Sequence, residues 1–61
     1  MKKSERMLLE AAKTSLEEML DCMDGIVSEQ GYEGLTTYVE NPAQMIAKAR
    51  KTVAVAEVVL A

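Results

Sequence analysis

Ser4 to Val27, SERMLLEAAKTSLEEMLDCMDGIV, sets Leu9, Ala12, Leu16, Met19, Met23 and Ile26 at alternating three- and four-residue steps. That spacing is the apolar repeat of a helix packing lengthwise against other helices, not the strict alternation of a strand. With residues placed at about 100° intervals around a helix axis, Leu8, Leu9, Ala12, Leu16, Met19, Leu20, Cys22, Met23, Ile26 and Val27 share an arc of roughly 160°. Arg6, Glu10, Lys13, Glu17, Asp21, Asp24 and Ser28 take the opposite side. An arc this wide exceeds the seam of a two-stranded coiled coil and needs more than one neighbouring helix to cover it. Ser4 stands where an N-cap is expected. Gly25 interrupts the pattern and costs about 1 kcal/mol relative to Ala, so a bend or fray is expected in the last turn.

Gly31 suits the residue just past the helix end, and Gly31 and Gly34 bracket a connection. Within it, Tyr32, Leu35, Tyr38 and Val39 match a single amphipathic turn lidding the end of a helical bundle. Thr36 to Val39 also has strand propensity, but a lone strand has no partner here. The second helix has the clearest start. Asn41 is a good N-cap, Pro42 suits the first helical position, and Gln44 completes a capping box. Its seam reads Ile46, Ala49, Val53, Ala56 and Leu60, with Met45, Thr52 and Val59 beside it. Thr52 to Leu60 is valine-rich and has strand character, but the capped lead-in favours helix throughout. The expected fold is therefore all-α and a single domain over residues 1–61. It has one helix from about 4 to 30, a connection over 31–41 and a helix from about 42 to 60, packed as an antiparallel hairpin.

Facing Gln30 against Pro42 makes paired positions sum to about 72, with helical rise equal in both arms. Asp24 then falls beside Lys48, and Asp21 beside Lys51. This matching accounts for a first helix whose charge order, Lys2, Lys3 and Arg6 first and Asp21, Asp24 and Glu29 last, opposes its own dipole. Exposed pairs of this kind contribute about 0 to 1 kcal/mol each and select orientation more than they stabilise. At about 1.5 Å per residue the arms span roughly 40 and 28 Å, so Leu60 reaches back to about Ala12. Met7, Leu8 and Leu9 are left to overhang.

The overhang and the wide arc together predict a homo-oligomer, most simply an antiparallel dimer forming a four-helix bundle. In that dimer the basic start of one first helix meets the acidic end of the other. Its interface residues are Met7, Leu8, Leu9, Ala12, Leu16, Met19, Met23 and Ile26. Size points the same way, because a chain of about 60 residues buries only about 60% of its unfolded surface and is marginal alone. A single cysteine rules out an intrachain disulfide, and without histidine a structural zinc site lacks its usual ligands.

Function classes are narrowed mainly by what is missing. A net charge of −3 opposes general nucleic-acid affinity. Glu5 and Glu10 break any apolar run after Lys2 and Lys3, so a secretory leader is not expected. The longest apolar stretch, Val53 to Ala61, is about nine residues and contains Glu57, against about 20 for a membrane span. A cytoplasmic protein without cofactor, metal or membrane is the expectation. Setting Gly25 at the invariant glycine of a calcium loop puts Leu20 first, Cys22 third and Gly31 last, so required oxygen ligands are missing. Cys22, at the edge of the apolar arc among acidic neighbours and without histidine to activate it, reads as a small packing residue. Glu17, Glu18 and Asp21 have no companion nucleophile and read as a solvated face. Met7, Met19, Met23 and Met45 read as core filling, with an adaptable binding surface as the alternative. Lys48, Arg50 and Lys51 are the candidate phosphate contacts, useful only if oligomerisation gathers several copies. The expected function is a small non-enzymatic regulatory or adaptor protein acting through homo-oligomerisation and protein–protein association. A nucleic-acid-associated regulator is the alternative.

Overall fold

In a computed structural model describing residues 1–61, two antiparallel helices are joined by a short lid. Helix α1 runs Lys3–Gln30, a 3₁₀ helix spans Tyr32–Leu35, and helix α2 runs Pro42–Leu60. Thr52 to Leu60 is helical throughout, as the capped start implied. The start of α1 differs from expectation. Lys2, in extended conformation, is the N-cap and supplies no side-chain bond, while Ser4 lies inside the helix. The Lys2 carbonyl instead accepts the backbone N–H of Arg6 at 3.0 Å, because nothing between Met1 and Ser4 stops the turn from winding further back. Gly25 is helical without a break.

Gly31 ends α1 with φ of 71°, and its N–H closes onto the Val27 carbonyl at 2.8 Å. A left-handed residue at this place satisfies an otherwise orphaned carbonyl, and glycine adopts it without a Cβ penalty. The chain then folds over the open end of the hairpin. Leu35 is buried and Val39 partly so, whereas Tyr32 and Tyr38 remain exposed. The lid is therefore aliphatic, with both rings turned outward. At the start of α2 the Gln44 N–H donates to Asn41 Oδ1 at 3.3 Å, and Asn41 Nδ2 donates to Gln44 Oε1 at 3.2 Å.

Leu20, Leu35 and Ile46 form the centre of the core, one residue from each element, with Met23, Ile26, Val27, Val39, Ala49 and Val53 packed around them. Helix α2 buries the expected seam: Ile46 and Ala56 fully, Ala49, Val53 and Leu60 in part. Helix α1 buries its expected seam only in part: Leu9, Leu16, Met23 and Ile26 are covered, joined by Lys13, Glu17, Leu20 and Val27, while Ala12 and Met19 are exposed, so the contact row is rotated toward Lys13, Leu20 and Val27. Cys22 is likewise exposed and free, which removes its expected packing role.

The reach of α2 also differs. Arg6 Nη2 donates to the Leu60 carbonyl at 2.5 Å, and Leu9 shares a groove with Val59. The true overhang is thus Met7 and Leu8, with Leu9 partly covered. No helix is long and apolar enough to cross a membrane.

Candidate association surface

The two long sides of the hairpin are chemically different, and the phase of each helix explains why. Next to the contact row of α1, one flank carries Arg6, Glu17 and Asp24, with Lys13 reaching out to it from the row, and the other carries Leu8, Ala12, Met19 and Ile26. The polar flank is tied across to α2 at three heights. Arg6 reaches the Leu60 carbonyl, supplying a cation and a donor to the unsatisfied end of α2. Lys13 Nζ lies 3.0 Å from Glu17 and 3.7 Å from Glu57. Arg50 grips both oxygens of Asp24, at 2.6 and 2.5 Å.

This last pair corrects the expected partner, while the register of the two arms holds. Asp24 is matched to Arg50 rather than Lys48, and Lys51 is not set against Asp21. The physical reason is rotational: Arg50 projects from the polar side of the α2 seam, whereas Lys48 and Lys51 project from the other. The Arg50 guanidinium is held above its ordinary pKa, first by its hydrogen bond to Asp24 and then by that carboxylate's charge. Lys13 is likewise raised, chiefly by its hydrogen bond to Glu17, with the charges of Glu17 and Glu57 adding and burial opposing.

On the other side, Leu9, Lys48, Lys51, Thr52, Val55, Ala56 and Val59 line an open groove between the helices. Exposed apolar residues line it and continue beside it along α1: Val55 is 57% exposed and Val59 49% in the groove, Leu8 73% and Met19 52% next to it. The upper end of this side is closed by the lid. A Cβ built on Gly34 would stand 3.0 Å from Ile26 Cγ2, so the lid backbone lies directly against Ile26. Below that point nothing in the chain covers the face.

The expected interface residues therefore divide three ways. Leu9, Leu16, Met23 and Ile26 are partly buried within the hairpin. Leu8, Ala12 and Met19 lie exposed on the apolar flank. Met7 is exposed too, on the next row outward with Ala11 and Glu18, at the outer edge of that flank. Val55 belongs to the face and was not expected there, although Lys48, Lys51 or Thr52, Val55 and Val59 recur at the same three- and four-residue steps. The methionines divide as well, with Met23 and Met45 partly buried and Met7 and Met19 exposed.

The candidate phosphate contacts do not converge. Arg50 is engaged with Asp24, while Lys48 and Lys51 rim the opposite groove. Glu17 is occupied by Lys13, and Glu18 is exposed. What the arrangement presents is one side bridged by ion pairs, with a polar pocket bordered by Glu17, Asp21, Arg50 and Glu57 between the bridges, and one side apolar and uncovered. No protein-family model, curated protein or solved structure matches the chain.

Proposed function

We propose that this chain is a non-enzymatic regulatory or adaptor protein that acts through helix-mediated self-association, with a dimeric four-helix bundle as its working form. The observation that carries this reading is the amount of surface left open. The hairpin exposes 4721 Å². Folded monomers of 6.7 kDa expose about 3,900 Å² by the usual mass scaling. The excess is about 800 Å², the area that one partner contributes to a standard protein–protein interface. Only 5 of 61 residues are buried, so a partner supplies the core that the hairpin lacks.

Thermal denaturation at a series of protein concentrations tests the proposal. Folding coupled to association makes the midpoint rise with concentration, whereas an isolated folded monomer melts at a constant temperature. Titration of the chain against labelled duplex and single-stranded DNA, at low and moderate salt, tests the alternative. Binding that weakens steeply with salt would favour the nucleic-acid reading, and no binding at low salt would exclude it.

A further inference from the structure

Resting on that self-association reading, we infer that the face bearing Leu8, Ala12, Met19, Val55 and Val59 docks on the same face of a second copy, with α1 of each chain lying over α2 of the other. The charges bordering the face decide the arrangement. Along α1, the row outside Leu8, Ala12 and Met19 holds Glu18 and Glu29, both exposed. Along α2, Lys51 borders the groove and Lys48 stands at its lid end, in the row of Val55 and Val59. None of these four charges forms an ion pair within the chain. The face is therefore an apolar strip with a free acidic edge on one side and a free basic edge on the other.

Two identical faces can meet about a two-fold axis lying in the interface, either along the helices or across them. An axis across the helices sets α1 on α1 and α2 on α2, so basic edge meets basic edge and acidic edge meets acidic edge. An axis along the helices sets α1 on α2, so each basic edge meets an acidic one. Like charges placed together cost specificity as well as energy, which selects the second arrangement. It also replaces the α1-on-α1 pairing expected from the sequence, which placed Lys48 and Lys51 against Asp24 and Asp21 of the same chain.

The heights agree. Asp24 faces Arg50 and Lys13 faces Glu57, which puts Lys51 level with about residue 21 and Lys48 level with about residue 24 of α1. A two-fold along the helices leaves heights unchanged. Glu18 and Glu29 of one copy then stand about 4 to 8 Å along the axis from Lys51 and Lys48 of the other, within the reach of a lysine stem.

Charge exchange tests the pairing on the full chain by sedimentation, with circular dichroism of the equimolar mixture to confirm that both variants fold. The wild type is expected to dimerise at micromolar concentration. E18K/E29K and K48E/K51E are each expected to dimerise at least tenfold more weakly at low salt, and an equimolar mixture of the two to recover a heterodimer of wild-type strength. If the wild type dimerises and E18K/E29K does so equally or better, the α1-on-α2 face is overturned while self-association stands. A mixture that fails to recover has the same consequence for the face. A helical monomeric wild type overturns both.

Discussion

Asn41 shows how one side chain sets an element. Its carboxamide accepts the Gln44 N–H and in turn donates to the Gln44 side chain, so it fixes both where α2 begins and the rotation at which the seam starts. Asn41→Ala should lower stability by about 1 kcal/mol, which for a chain of this size lowers the melting midpoint by about 4 to 8 °C. Asn41→Asp keeps the acceptor and should recover most of the loss; equal loss in both variants would contradict a capping role. Lys13 is the other instructive residue. It lies among apolar neighbours on the contact row, yet its ammonium reaches Glu17 and Glu57, so the stem packs while the charge stays partnered. Its folded pKa lies above the ordinary 10.5, mainly through the hydrogen bond to Glu17. A group whose pKa is raised on folding contributes stability that is fully present below the unfolded value and is lost as pH rises through the folded one. Melting measured from about pH 9 to about pH 12 should therefore fall more steeply for wild type than for Lys13→Met, and parallel profiles would contradict the linkage.

At the scale of elements, α2 was fully legible in the sequence and α1 only in part. The seam Ile46, Ala49, Val53, Ala56 and Leu60 could be read because Asn41 and Pro42 fixed its origin and no competing apolar row was equally strong. Helix α1 has adjacent apolar residues at Leu8 and Leu9, Met19 and Leu20, and Ile26 and Val27, so two neighbouring rows are nearly equal. Between them stand Ala12 and Lys13, and hydropathy alone favours Ala12. The structure buries the row containing Lys13, because a lysine stem can pack when Glu57 on α2 receives its charge. That pairing depends on the rotation of the other helix and is invisible along α1 alone. The same rotation decided that Arg50, rather than Lys48, would meet Asp24. Two glycines make the helical account testable with opposite signs. A Cβ on Gly25 meets nothing within 4 Å in an unbroken helix, so Gly25→Ala should stabilise by about 0.5 to 1 kcal/mol. A Cβ on Gly34 would stand 2.8 Å from Gln30 Cβ and 3.0 Å from Ile26 Cγ2, so Gly34→Ala should destabilise by lifting the lid. Chemical denaturation of both variants checks the pair, and a shared sign would contradict it.

For the whole molecule, the asymmetry between its two sides matters most. One side is latched at three heights by Arg6, Lys13 and Arg50; the other is a groove bordered by bare leucine, methionine and valine. That an apolar surface would remain uncovered was legible in the width of the α1 arc. Which surface it is was not, because it depends on where the lid folds and on the α2 residues Val55 and Val59, whose exposure follows from packing between helices. The central claim is that the hairpin completes its core with a second copy of itself. Sedimentation velocity of the unmodified chain at micromolar concentration tests this most directly. The account predicts a helical species of twice 6.7 kDa that dissociates, with loss of helicity, on dilution; a fully helical 6.7 kDa monomer across the whole concentration range would contradict it.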